Sequence, residues 1–317
     1  MTKLVAVTGA TGAQGGSVVN ILLKTPGWKV RAVTRNPESD KGKALTAQGV
    51  EVVQANFDDE ESLVKAFEGA NAVFGVTNFW EHLFTGKSQV ESGEIEAKQA
   101  LTLARAVAKT STVEHYIWST LPSARKLTDG KVNVAHCDYK ADVDDIIKSE
   151  FPDLAKKTTF LFFGYYSTNI AFFPFLKPFE VPNSYGKYMQ MVPTPATTRI
   201  NVTGEMSTNP GIWVRQILAK PELTKGRYAD CATDNLSFGE MVDQWSEVSG
   251  KQGVYVECSA EDFENIYGIG GKEFADQLKF NEVSTNWDES FDVLTMEELG
   301  ISKEEAAPHR KALKAFF

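Results

Sequence analysis

A doubly wound α/β fold is predicted, with a parallel sheet and a smaller C-terminal α/β lobe that covers the cleft. Three observations predict it. Short apolar β runs alternate with helical patterns through the first half of the chain, as in parallel sheets faced by helices. A glycine-rich turn (Gly9, Gly12, Gly15) stands between the first strand and the first helix. The 317-residue length suits about two units at roughly 150 residues each, divided here into residues 1–155 and 156–317.

The elements run in order along the chain. Residues 4–8 form an apolar strand, and residues 14–24 carry helical spacing through Val18, Val19, Ile21, Leu22 and Leu23. Residues 29–34 read as the second strand and 38–48 as a helix. Residues 50–54 are the third strand, and 59–67 a helix that Asp58 or Asp59 can cap. Strands at 72–76 and 115–119 enclose a long helix at 94–109. A helix at 136–148 leads to the sixth strand, 158–163. The second half is less regular. Helices are expected at 211–218, where Pro210 suits the start, and at 238–249, with a strand at 254–258. Ser302-Lys303-Glu304-Glu305 matches a capping box for a last helix towards Phe316, interrupted at Pro308.

Composition narrows the function classes. Hydrophobic residues are 42% and charged residues 24%, an ordinary globular balance, and 20 Phe, 9 Tyr and 6 Trp can build a sizeable core. With 33 basic against 42 acidic residues the net charge is −9, which argues against a nucleic-acid partner read through phosphates. Cys137, Cys231 and Cys258 are far apart and in no C-x-x-C pair, so neither a disulfide scaffold nor a cysteine-rich zinc site is expected. No His/Asp/Glu spacing points to a metal. The first apolar run is shorter than a signal-peptide core, and no stretch of about 18 apolar residues exists. The expectation is a cytoplasmic protein without a membrane partner.

Thr8-Gly9-Ala10-Thr11-Gly12-Ala13-Gln14-Gly15 carries the strongest chemical signal. Placed after a strand and opening a helix, it reads as a Rossmann-type dinucleotide loop. Gly9 permits the tight turn, Gly12 lets backbone approach a pyrophosphate, and Gly15 allows close helix–strand packing. At the end of the second strand an Asp or Glu would bind a ribose 2′-hydroxyl. Arg35 stands there instead, and its fork matches a 2′-phosphate. The expected cofactor is therefore NADP(H).

Val7-Thr8-Gly9-Ala10-Thr11-Gly12-Ala13-Gln14-Gly15-Gly16, Val33-Thr34-Arg35-Asn36, Asn56-Phe57-Asp58-Asp59 and Gly164-Tyr165-Tyr166-x-x-Asn169 together resemble the NmrA-like family of atypical short-chain dehydrogenases/reductases. The likeness covers most of the chain and is strongest over about the first 170 residues. It implies that Asn56 and Phe57 lie at the adenine, and that Thr77 and Asn78 line the ribose and nicotinamide side. It places Ser119 at the family serine and Lys140 at the family lysine. Tyr165, Tyr166 and Asn169 would border the nicotinamide and the substrate. Reductases of the superfamily use Tyr-x-x-x-Lys; here His136-Cys137-Asp138-Tyr139-Lys140 puts His136 at the tyrosine position. The resemblance implies one of two activities, since such proteins include both reductases of secondary metabolism and dinucleotide sensors that bind transcription regulators.

His136 and Lys140 are i and i+4 and share a helix face. His136 can move a proton near neutral pH, Lys140 can hold the cofactor ribose, and Ser119 can bond a substrate oxygen. Tyr139 and Tyr166 are reserve acids. His115 is read as packing, and the 78–82 loop with His82 as a cover of the site. Nine aromatics fall within residues 160–179. Phe160 and Phe162 read as core, and Tyr165, Tyr166, Phe172, Phe173 and Phe175 as an apolar wall. The function expected is reduction of a carbonyl, enone or imine of a small, largely apolar metabolite. The alternative is a non-catalytic NAD(P)(H) sensor acting on a protein partner such as a transcription factor.

Overall fold

The computed structural model describes residues 2–284, Trp287 and residues 290–317. Its strands are β1 (Lys3–Val7), β2 (Trp28–Thr34), β3 (Glu51–Gln54), β4 (Ala72–Gly75), β5 (His115–Thr120), β6 (Thr158–Phe163), β7 (Tyr165–Tyr166), β8 (Phe179–Glu180), β9 (Lys187–Val192), β10 (Arg199–Gly204), β11 (Tyr228–Cys231), β12 (Asp234–Ser237), β13 (Gln252–Glu257) and β14 (Val293–Leu294). Eight of them form one sheet in the order β14-β11-β6-β5-β4-β1-β2-β3. Every pairing in it is parallel. This is the doubly wound order 3-2-1-4-5-6, extended by two short strands from the second half of the chain. The direction of winding reverses between β1 and β4, and the crevice opens there.

Both faces of the sheet are covered at its centre, so β4, β5 and β6 are buried along their whole length, whereas the outer strand β3 is partly exposed. Val5 and Val7 point to one face and pack with Val18, Val19 and Leu22 of the Ala13–Leu22 helix and Trp213 and Ile217 of the Asn209–Ala219 helix. Ala6 points to the other, against Leu63, Leu103, Val107 and Val143 of the Glu60–Phe67, Gln89–Lys109 and Ala135–Glu150 helices. Two three-stranded sheets, β12-β10-β7 and β13-β9-β8, carry the second half. They share a core with the Phe238–Ser249 helix and with the Ala260–Val283 helix, which kinks at Gly268 (φ 64°).

Local chemistry sets the boundaries. Asp59, not Asp58, caps the Glu60–Phe67 helix by accepting from the Ser62 amide at 3.2 Å. The helix expected from residue 94 starts earlier, at Gln89, because Ser88 and Glu91 form a reciprocal capping box. The helix expected from Ser302 does not form. Ser302 accepts from the Glu305 amide at 3.2 Å, but only a turn results, and a short helix, His309–Leu313, begins after Pro308. Phe160 and Phe162 are core, and His115 is a packed residue hydrogen-bonded to Thr159 Oγ1 at 2.8 Å.

One buried acid predicts a pH dependence. Asp144, on the Ala135–Glu150 helix, accepts from Trp118 Nε1 at 2.9 Å and from the Tyr228 hydroxyl at 3.1 Å. Burial pushes its carboxyl up to about 7. The folded chain then holds a proton that the unfolded chain releases near pH 4, so stability falls as pH rises from about 4 to 7 and levels above that. Asp144→Asn removes this slope. Denaturant midpoints at pH 5 and pH 8 should lie closer together in the variant; an unchanged gap would show that Asp144 is ionised throughout.

Candidate functional site

The crevice above β1, β4 and β5 is a cleft of about 600 Å³. Its floor is the glycine loop. Gly9 has φ +59°, and a Cβ on it would come within 2.6 Å of Val76 Cγ1. A Cβ on Gly15 would lie 2.4 Å from the Gly9 carbonyl oxygen and 2.6 Å from that of Thr8, both backbone atoms that cannot give way. Gly12 is the N-cap of the Ala13–Leu22 helix, has no side-chain cap, and the first helical turn holds no acid. The free amides of that turn thus face the cleft as a ready anion site. Thr11 and Ala13 line it beside the glycines.

Arg35, at the mouth, pairs with Glu81 through both nitrogens of its fork: Nη1 to Oε1 at 2.5 Å and Nη2 to Oε2 at 3.0 Å. Asn56, Phe57 and Asp58 line the same end, and Asn78 opens the Phe79–Leu83 helix that carries Glu81. Lys41 also reaches this rim, donating to the Thr11 carbonyl at 3.1 Å.

At the deep end, Lys140 Nζ donates to Thr77 Oγ1 at 2.8 Å and pairs with Glu96 Oε1 at 3.0 Å. Thr77 in turn donates to Glu96 Oε1 at 2.8 Å, and the ammonium lies 4.9 Å from the Trp118 ring centre. Glu96 Oε2 is buried without a partner. The lysine thus lines the cleft while held by a carboxylate and a hydroxyl.

His136 Nδ1 meets Glu273 Oε1 at 2.6 Å, and the same oxygen accepts the His136 amide at 2.9 Å. Gln89 Nε2 donates to the second carboxylate oxygen. Burial alone disfavours the imidazolium, yet its neighbours hold the ring well above the ordinary histidine range. The adjacent Cys137 thiol is itself pushed up by burial and stays neutral, so the holding charge is that of Glu273. Despite its own burial, Glu273 is held below the usual carboxylate range by the His136 hydrogen bond. The result is a buried His⁺–Glu⁻ pair whose Nε2 is left for a ligand.

Ser119, at the end of β5, lines the cleft close by. Tyr166 lines it too, its hydroxyl accepting from Gln14 Nε2 at 2.6 Å, and burial pushes it up to about 12. This bond ties the glycine loop to the segment after β6. Asn169 borders the cleft from the Ser167–Phe172 helix.

Every residue named for the cofactor, together with Ser119, His136, Lys140 and Tyr166, therefore lines one cleft. Some are placed differently from expectation. The Tyr165 ring, though at the edge of the cleft, packs into the core of the second half with Phe238, and its hydroxyl is buried without a partner. Tyr139 is not in the cleft; its ring lies over Gly93, since it sits on another face of its helix from Lys140. Phe172 is exposed and packs on Phe316, and Phe175 stands behind Phe173 and Phe274. The wall is instead Trp80, Phe173 and Phe274, with Trp80 stacked on Phe274 at 5.1 Å and 5.2 Å from the His136 ring. The 78–82 segment does cover the site, and His82 lines it, bonded to Gln99.

Glu96 and Glu273 were not legible as site residues. The only signal was a carboxylate set in the apolar stripe of a helix, as Glu96 is with Ala100, Leu103 and Val107. Among the described residues, no group of three or more His, Cys, Asp or Glu is placed to hold a metal, and no helix is long and apolar enough to cross a membrane.

A doubly wound parallel sheet, a glycine loop at its switch point and a cleft that runs on to a lysine and a histidine define an α/β protein of the Rossmann type. More narrowly, the chain belongs to the NmrA-like family, whose model matches residues 1–311. It is 29% identical over 282 residues to the NmrA-like family domain-containing oxidoreductase cpsB of Aspergillus campestris, covering 87% of this chain and 80% of that protein. It is 38% identical over 144 residues to the oxidoreductase notA of an Aspergillus species, but there it spans only 40% of the relative's length. Among solved structures, NmrA, a negative transcriptional regulator, in complex with NADP superposes with a TM-score of 0.78 at 19% identity, covering 100% of this chain and 95% of that one. The NADPH-dependent quinone oxidoreductase QOR2 of Escherichia coli, complexed with NADPH, gives 0.71 at 19% identity over 98% and 99%.

Proposed function

We propose that this chain is an NADP(H)-dependent reductase of a carbonyl, enone or imine in a small, largely apolar molecule. The observation that carries this reading is the buried His136–Glu273 pair, set in the same cleft as the glycine loop and Arg35. Bound NADPH would supply the hydride. The residues do the rest. The loop amides and Arg35 hold the phosphates, Asn56 and Phe57 border the adenine, and Thr77, Asn78 and Lys140 hold the ribose side. Ser119 donates to the substrate oxygen, and the His136 Nε2–H delivers the proton while Glu273 keeps Nδ1–H in place. Trp80, Phe173 and Phe274 form an apolar, aromatic wall for the substrate. Relatives named as oxidoreductases support this reading.

The test couples binding to turnover. NADPH, NADP⁺, NADH and NAD⁺ are titrated calorimetrically, and NADPH oxidation is followed with a panel of quinones and enones. NADPH should bind in preference to NADH, and Arg35→Glu should abolish that preference. His136→Ala should lower turnover about 10²–10⁴-fold with the NADPH Kd unchanged. Equal turnover in His136→Ala removes His136 from the reaction. Tight dinucleotide binding with no turnover of any probe would favour the second reading, a sensor that acts on a protein partner. One observation favours that reading: Lys140 is already committed to Glu96 and Thr77.

A further inference from the structure

Arg35 directly follows β2, and Glu81 comes from the helix after β4; these two strands flank β1 on either side. The Arg35–Glu81 pair therefore spans the mouth of the cleft above the glycine loop. It is partly exposed, with side chains 66% and 39% accessible, and its fork-to-fork geometry uses both terminal nitrogens of Arg35. These are the donors that a phosphomonoester would need. Asp58 faces the same guanidinium, and Lys41 stands at the rim.

Resting on the NADP(H) reading above, we infer that Glu81 is a second specificity-determining residue of the cofactor site. Its carboxylate occupies the Arg35 fork in place of a 2′-phosphate and accepts a 2′-hydroxyl when no phosphate is there. A 2′-phosphate carries more charge than a carboxylate and displaces Glu81 from the fork. An unphosphorylated ribose leaves the pair intact and hydrogen-bonds its outer edge. The strand end that lacks an acid in sequence thus receives one through space, and the site admits both dinucleotide types while grading them by this competition.

The test uses the full chain and two probes without nicotinamide, adenosine 2′,5′-bisphosphate and 5′-AMP, titrated calorimetrically into wild type, Glu81→Gln and Arg35→Gln. Glu81→Gln should tighten the bisphosphate about 2–5-fold, as expected for removal of one partly exposed competing pair, and leave AMP unchanged or weaker. Arg35→Gln should weaken the bisphosphate selectively. If Arg35→Gln acts as expected but Glu81→Gln leaves the ratio of the two affinities unchanged, or tightens both probes equally, the role of Glu81 is overturned and the NADP(H) reading stands. If wild type shows no preference for the bisphosphate and Arg35→Gln changes nothing, both fail.

Discussion

Lys140→Met is expected to destabilise the protein by about 3–5 kcal/mol, a fall in melting temperature of roughly 4–8 °C for a chain of this size. The reason lies in its partner. Glu96 is 1% exposed, and among the described residues its Oε1 is served by Lys140 and Thr77 and its Oε2 has no partner. Removing the ammonium strands a buried carboxylate with one hydroxyl donor. The double variant Lys140→Met with Glu96→Gln removes the stranded charge and keeps an acceptor for Thr77, so it should recover more than half of the loss; a thermal melt series of the four proteins reads the coupling directly. A single variant that melts with wild type would show that the Lys140–Glu96 pair adds nothing to stability. Loss of cofactor binding in Lys140→Met alone cannot be assigned to the lysine's own contact, and the double variant is the one in which to measure it.

Glu273→Ala should have an effect of similar size, about 3–5 kcal/mol, with a distinctive pH dependence. Glu273 is fully buried and His136 is 7% exposed. His136 is raised in the fold, so the stability it adds is full below about pH 6.5 and lost as pH rises through its folded value. Glu273 is lowered, so its share is full above its ordinary range near pH 4.5 and lost as pH falls through its folded value. The difference between variant and wild type should therefore be greatest near pH 5–6 and shrink as the solution becomes more alkaline. Proton NMR of the histidine ring hydrogens provides the independent readout: the His136 titration should move from well above the ordinary range to below it in the variant, because burial is then unopposed. A His136 titration that stays high would mean another group holds its proton.

Much of the fold was legible because its signals are local. Continuous apolar runs such as Val5-Ala6-Val7 and period-3.6 stripes such as Val18-Val19-Leu22 are written within a few residues, and alternating them gives a parallel sheet. The glycine loop and Arg35 were legible for the same reason: a tight turn needs Gly9 where φ is +59°, and close packing needs Gly15 where no Cβ fits. The last helix departs from expectation because a capping box at Ser302 is also a local signal, whereas the residues beyond a cap continue as helix only if the next turns bury an apolar face. Here Pro308 and the packing of His309 and Leu313 set the helix instead.

The doubly wound sheet, the place of the phosphate loop at its first turn, and the histidine standing at the usual tyrosine position are written in local sequence. What those groups face is set by the packing of distant elements. It paired His136 with Glu273 across 137 residues and Arg35 with Glu81 across 46. It also brought Glu96 under Lys140 and aimed Trp80 and Phe274 into the cleft. The physical reason is one of range. Propensity, periodicity and turn chemistry act between neighbours in the chain. A buried charge finds its counter-charge only when distant elements pack, and the protonation state of a site is set by that partner and by the water its burial excludes.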